Sequence, residues 1–249
     1  MRQGIFYGVG VGPGDPKLMT LKAVEIIRAC DVIALAVSSP DLKEAIYEEE
    51  DAVCANPDYL EKCVAYQIAL PEIPEIAHKA KLYLPMPMIK EKQQLKEIHD
   101  HCADKTEEIL QAGKNVAFIT LGDPSIYSTC LYVHKRLKNR ACKTMLVPGI
   151  PSFCAAAARV NTGLAENREE LHIIPASYGI EESLELPGTK ILMKAGKKMP
   201  YVKQVVNEKS LQVQMVENCG MPGEKVYHHV DEIPDGASYY SLIMIKESN

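Results

Sequence analysis

Apolar residues in this chain fall into short, nearly uninterrupted runs separated by amphipathic stretches, the alternation expected of buried parallel strands joined by helices. The run from Ile5 to Pro13 reads as a buried strand closed by the turn Gly14-Asp15-Pro16. A helix is predicted over 20–30, with Leu21, Val24 and Ile27 as its apolar stripe and Ala23 and Ile26 beside it. Asp31 to Leu35 gives a second buried strand, so the order begins βαβ. The pattern weakens between Ser38 and Leu70, where Glu48-Glu49-Glu50-Asp51 reads as a solvated helix end. Lys81 to Leu84 predicts a short strand, 92–111 a long amphipathic helix stopped by Gly113, Val116 to Leu121 a fourth strand, 127–137 a helix, and Lys143 to Val147 a fifth strand. Five strands with intervening helices satisfy the rule for a mainly parallel, doubly wound sheet.

The second half opens on the small-residue helix Ser152-Phe153-Cys154-Ala155-Ala156-Ala157-Ala158. Strands are predicted at 171–175, 190–193, 211–216, 225–228 and 239–245, with the last pair antiparallel, giving a smaller mixed sheet. The expected organisation is therefore an α/β chain of two domains, residues 1–148 and 149–249. With 249 residues and 47% hydrophobic content, each half can bury a core.

Composition narrows the function. No run approaches the roughly 18 to 20 apolar residues that span a bilayer, and the amino terminus runs into a strand without a signal-peptide pattern, so a soluble cytoplasmic protein is expected. The net charge of −5 argues against a nucleic-acid partner but leaves room for an anionic small molecule on a local basic patch. Eight cysteines without CxxC spacing suggest neither a zinc ribbon nor a disulfide framework and read as reduced, mostly buried thiols. His99-Asp100-His101-Cys102 reads as solvated helix surface, and no metal site is expected.

The chemistry should lie at the carboxyl ends of the strands, where open α/β sheets bind ligands, and two of those ends carry Gly-Asp-Pro turns: Gly14-Asp15-Pro16 and Gly122-Asp123-Pro124. A dinucleotide reading of the first loop fails on detail. The GxGxxG match is loose, Pro13 and Pro16 stiffen the loop, and the second strand ends without an acidic residue for a ribose hydroxyl.

Three ordered motifs, Gly10-Val11-Gly12-Pro13-Gly14-Asp15-Pro16, Leu121-Gly122-Asp123-Pro124-Ser125-Ile126-Tyr127-Ser128-Thr129 and Val147-Pro148-Gly149-Ile150-Pro151-Ser152-Phe153, resemble the successive motifs of the tetrapyrrole methylases. Pro85-Met86-Pro87-Met88, the Ser-Ile-Tyr-Ser-Thr run and Leu192-Met193-Lys194 are most similar to the branch that methylates carbon 20 of precorrin-2 on the way to vitamin B12. The resemblance implies a homodimer in which S-adenosylmethionine lies in a trough between the domains. It implies cofactor contacts at Pro13, Leu121, Gly122, Asp123, Ile126, Pro151, Ser152, Met193 and Cys219, with Ser128, Thr129, Lys194 and Tyr240 beside them. Gly10, Gly12, Gly14, Asp15 and Tyr127 would border the tetrapyrrole, a polycarboxylate. Cys219-Gly220 departs from the small-residue pair of many relatives.

The residues themselves add candidates without choosing among them. Asp123, Asp15 or Tyr127 could accept the proton lost from the methylated carbon, with an orienting role favoured for Asp123. Lys17, Arg159, Arg168, Lys194, Lys197 and Lys198 are candidates for the substrate carboxylates, Lys194 foremost. The crowd of apolar and small residues from Phe153 to Val160 is compatible with a dimer face. The competing readings are methylation at another tetrapyrrole carbon and a non-catalytic nucleotide-binding module.

Overall fold

The computed structural model describes residues 3–51, 56–176, 180–195 and 198–247. It divides into two compact units, residues 1–151 and 152–249.

The first unit is built on a six-stranded sheet. Its strands are β1 (Phe6–Gly10), β2 (Val32–Val37), β3 (Ile46–Glu48), β4 (Ala80–Pro85), β5 (Val116–Thr120) and β6 (Thr144–Val147). Their order across the sheet is β3-β4-β2-β5-β1-β6, all parallel except β3, which runs antiparallel to β4. The helices are α1 (Leu21–Ala29), α2 (Pro57–Glu61), α3 (Val64–Ala69), α4 (Lys92–Gln111) and α5 (Cys130–Asn139). Alternate residues of each strand feed opposite layers. Ile33, Leu35 and Ile119 pack with Ile26 and Ile27 of α1 and with α3, while Val32, Ala34 and Phe118 pack with α4 and α5. With both faces covered, the strands need the continuous apolar runs seen in the sequence.

The second unit carries α6 (Ser152–Arg159), β7 (Leu171–Pro175), β8 (Thr189–Met193), α7 (Met199–Glu208), β9 (Gln212–Glu217), β10 (Lys225–Tyr227) and β11 (Ser241–Lys246). Its five strands lie in the order β10-β9-β11-β8-β7, a mixed sheet. Met199, Val202, Val205 and Val206 of α7 pack on Val213, Met215, Ile243 and Ile245.

The mainly parallel first sheet and the smaller mixed second sheet match expectation, with several differences in detail. The first sheet has a sixth strand: β3 is only three residues long and sits in the weak-pattern segment. The acidic run therefore starts at a strand end and not at a helix end, and Glu48 accepts a hydrogen bond from Tyr83 Oη (2.9 Å). Leu21 is 90% exposed, because α1 buries Ala23, Ile26 and Ile27. The final two strands are not neighbours, since β9 pairs antiparallel with both β10 and β11 and stands between them.

The stretch His99 to Cys102 is only partly solvated: His99 stacks on Tyr132 at 4.4 Å and Cys102 is fully buried. Asp100 binds Arg136, which holds its carboxyl below the usual range. Burial, followed by the nearby Arg136, lowers the His99 imidazole. Phe153, Ala155, Ala156 and Ala157 of α6 and the following Val160 are buried inside the chain, so they leave no large uncovered face to argue for a dimer. Among the thiols, Cys30, Cys102, Cys130 and Cys142 are buried and Cys154 is exposed; Cys54 lies outside the described residues.

Candidate functional site

In the first unit, three strand-end loops meet backbone to backbone. After β1, Val11 N–H donates to Thr120 O (2.9 Å), and the chain then forms a two-way bridge in which Gly12 N–H donates to Gly122 O (3.3 Å) and Gly122 N–H to Gly12 O (2.7 Å). The loop after β6 closes on the same spot: a Cβ on Gly149 would lie 2.2 Å from Gly122 O, and one on Gly10 would lie 2.4 Å from the same oxygen. Contacts that short exclude any side chain. Gly12 and Gly122 also have φ of 82° and 70°, the left-handed region that favours glycine. The first loop is thus glycine-rich because the loops pack on each other, and the Gly12 and Gly122 amides are already bonded within the chain. That removes the physical basis of a phosphate cradle, which needs free amides.

Asp123 fastens this cluster. One carboxylate oxygen accepts Ser125 N–H (2.8 Å) and the other accepts Gly149 N–H (3.0 Å), joining the loop after β5 to the loop after β6. Asp15 accepts Lys17 N–H (2.9 Å) and caps the short helical turn Pro16–Leu18. Thr20 accepts Ala23 N–H (3.1 Å) at the start of α1 and donates its hydroxyl to Pro148 O (3.3 Å). Pro13 and Gly14 are buried, and Leu121 and Ile126 are half-buried. Ser128 is turned inward: its Oγ lies 2.9 Å from Thr120 Oγ1 and accepts Cys130 N–H (3.2 Å). Thr129 stands at the N-cap of α5 without a side-chain cap bond. Tyr127 precedes that helix, not within it as expected; it has φ of 47° and is 48% exposed. An aromatic residue in this backbone region carries strain of the kind that clusters at functional sites.

In the second unit, the ends of β8 and β9 and the start of β11 share one end of the sheet, with Met193 opposite Leu242 and Glu217 opposite Ser241. Met193, Lys194, Cys219 and Tyr240 come together there. Lys194 has φ of 62° and holds its ammonium 5.1 Å over the Tyr239 ring, which in turn meets Tyr240 edge-on at 5.3 Å. Both tyrosines are exposed. Burial pushes the Cys219 thiol up to about 11, with Glu224 adding to the shift, so it is a neutral thiol at physiological pH. Pro151 ends the first unit and Ser152 begins α6; both are half-buried.

Other candidate cations are committed or elsewhere. Arg159 is paired with Glu224, and Lys198 with Glu181 at 3.5 Å. Arg168 lines a cleft of about 670 Å³ at the opposite end of the second sheet from Lys194, beside Gly188 and Lys246. Lys17 is exposed, and Lys197 lies outside the described residues.

Three members of this arrangement, Gly149, Glu217 and Tyr239, are not among the site residues expected from the sequence. Gly149 had a signal, since Pro-Gly-Ile-Pro repeats the glycine-after-strand pattern. Glu217 had none: an acidic residue at a strand end gives no hint of burial, yet it is 6% exposed. Local burial, followed by the Glu217 carboxylate to which it donates, raises the phenol of Tyr227.

The family model of tetrapyrrole (corrin/porphyrin) methylases matches residues 6–233. A protein of Methanocaldococcus jannaschii described as a probable cobalt-precorrin-2 C(20)-methyltransferase is 34% identical over 243 residues, covering 96% of this chain and 95% of its own length. A precorrin-2 C(20)-methyltransferase of a Sinorhizobium species is 26% identical, with 97% and 95% covered. The crystal structure of uroporphyrin-III C-methyltransferase from Thermus thermophilus complexed with S-adenosylhomocysteine shares the fold at TM-score 0.64 and 15% identity, covering 98% of this chain and 97% of that one.

Proposed function

We propose that this chain, which belongs to the tetrapyrrole (corrin/porphyrin) methylase family, transfers a methyl group from S-adenosylmethionine to carbon 20 of precorrin-2, in the cobalt-bearing form in the first instance. The observation that carries this reading is the near full-length match, at 34% identity, to a relative described as acting on cobalt-precorrin-2. We further propose that the enzyme is cytoplasmic and works as a homodimer; among the described residues no helix is long and apolar enough to cross a membrane.

The residues fit the donor. Bound S-adenosylmethionine supplies an electrophilic methyl group on a good leaving group, so the protein's share is to position, orient and exclude water. Such a donor would alkylate an adjacent thiolate; Cys219, held neutral by burial, is compatible with that neighbour. The cofactor contacts of this reading are Pro13, Leu121, the Gly122-Asp123 turn, Ile126 and Pro151 in the first unit, and Ser152, Met193 and the exposed Tyr240 in the second. Gly10, Gly12, Gly14, Asp15 and Tyr127 border the tetrapyrrole, and Lys194 meets one of its carboxylates by leaving the Tyr239 ring.

Of the three candidate proton acceptors, Asp123 has both oxygens engaged in loop bonds and acts as an orienting group. Asp15 is engaged as a cap. Tyr127 is half exposed on a strained backbone, and this reading assigns the proton acceptor to none of the three.

Purified protein incubated with S-adenosylmethionine and either metal-free precorrin-2 or its cobalt-bearing counterpart tests the proposal. The expected result is a product heavier by one methylene unit, faster with the cobalt form, and carrying the new methyl at carbon 20 by isotope-labelled NMR. A methyl at another carbon, or no methylated product from either substrate, overturns it.

A further inference from the structure

We infer that Glu217 is a positioning residue for the cofactor segments of the second unit, its buried carboxylate fixing where Cys219 and the Tyr239–Tyr240 pair stand. The inference rests on the functional reading above and concerns what holds that site in shape. Glu217 ends β9 and is 6% exposed, on the sheet face that also buries Val213 and Met215. A carboxylate withdrawn from water is tolerated only where donors replace the lost hydration. Two donors do so here, and they come from different segments. Tyr227 Oη, from β10, donates to Oε2 at 2.8 Å, and Ser238 N–H, from the loop leading into β11, donates to Oε1 at 2.7 Å. Among the described residues no lysine or arginine pairs with it.

Each bond sets a neighbour of the candidate site. Ser238 immediately precedes Tyr239, and Ser241 N–H donates back to Ser238 O (3.2 Å), closing the turn that presents both tyrosines. Tyr240 O then accepts Asn218 N–H (3.1 Å), and Asn218 lies between Glu217 and Cys219 in the chain. The result is a closed ring of contacts running from the Glu217 carboxylate to Ser238, along the turn to Tyr240, across to Asn218 and back to Glu217. Lys194 joins it through the Tyr239 ring. The turn already contains two buried hydroxyls without hydrogen-bond partners, Ser238 Oγ and Ser241 Oγ, so it has little capacity to absorb another orphaned group. Removing the carboxylate would take away the acceptor of Ser238 N–H and of Tyr227 Oη.

The test compares wild type, Glu217→Ala, Glu217→Gln and Tyr227→Phe in the full chain, by amide hydrogen exchange and by calorimetry with S-adenosylhomocysteine below each variant's melting temperature. Glutamine can keep both contacts, its oxygen accepting from Ser238 and its amide donating to the tyrosine oxygen. Glu217→Ala is expected to speed exchange in peptides covering 236–241 without ligand and to weaken S-adenosylhomocysteine binding by about tenfold or more. Glu217→Gln should stay within about threefold of wild type, and Tyr227→Phe, which leaves the Ser238 bond, should fall between. A folded Glu217→Ala with unchanged exchange and unchanged affinity overturns the inference, as does a Glu217→Gln as impaired as the alanine variant. A general structural defect would lower the melting temperature of Glu217→Ala yet leave the affinity at low temperature alone. If wild type itself bound no S-adenosylhomocysteine, the functional reading would fall, and the exchange measurement would still decide the positioning role.

Discussion

The strand ends of the two units are shaped by opposite means. In the first, Gly10, Gly12, Gly122 and Gly149 let three loops press main chain against main chain, with the Asp123 carboxylate as a fastener. In the second, a single main-chain bond from Asn218 N–H to Tyr240 O is reinforced by side chains reaching between segments: Glu217 to Tyr227 and Ser238, and Lys194 to Tyr239. Close main-chain packing has essentially one solution at each position, the absence of a side chain, and so writes a motif into the sequence. Cross-segment side-chain ties have many solutions and write none.

Substitutions can break this contrast. The largest effect is expected from Gly149→Ala, where a Cβ 2.2 Å from Gly122 O forces the loops apart. We expect a loss of more than about 3 kcal/mol in urea unfolding, or failure to fold. Gly12→Ala comes next, at about 1–3 kcal/mol, because alanine at φ 82° is strained and its Cβ would meet Leu18 O at 2.9 Å. Its cofactor affinity should hold when measured on folded protein, since the glycine serves the loop and the tetrapyrrole side and not the cofactor. Asp123→Ala should cost roughly 1–2 kcal/mol by taking the acceptor from the part-buried Gly149 amide and the tie to the Ser125 turn, with Asp123→Asn milder on unfolding. A Gly149→Ala variant as stable as wild type would remove the main-chain account altogether.

Acidity offers the smallest and most selective probe. The folded imidazole of His99 takes a proton less readily than its ordinary value of 6.5 allows, chiefly because it is buried. The unfolded chain therefore binds more protons as pH falls, and the stability associated with His99 is present above about 6.5 and lost as pH drops through the lower folded value. His134 shifts in the same direction, from burial and then from Lys138 and Lys135. Urea midpoints at about pH 5 and about pH 7.5 should show wild type weakening in acid and His99→Gln weakening less. An identical pH dependence in the two proteins would contradict the buried, neutral imidazole.

The same contrast explains what could be read from the sequence. The long helix α4 and strand β7 fall on their expected bounds, since 20 amphipathic residues and a five-residue apolar run leave little freedom. The strand β3 escaped notice because Ile46-Tyr47-Glu48 is an edge piece of mixed character, defined by pairing with β4 and not by its own pattern. Leu21 was misplaced because helical periodicity cannot say which side of a stripe's first turn faces the sheet. The Gly-Asp-Pro turns drew attention to the strand ends of the first unit, where Gly10, Gly12, Gly122 and Gly149 let neighbouring loops meet. Glu217 and Tyr239 were invisible because their partners lie 10 to 45 residues away in the chain, at Tyr227, Ser238 and Lys194.

The place of β1 in its sheet has a consequence for how the protein is made. It lies between β5 and β6, so its partners begin at Val116 and Thr144. A ribosome adding about 5–20 residues per second therefore leaves the first strand without either neighbour for roughly 5 to 20 s. Phe6 and Val9, both fully buried once folding is complete, lack the cover of those neighbouring strands until then. A strand whose two neighbours both come from far along the chain can be seated only by long-range pairing, which is slow to form, so the first sheet closes late in folding.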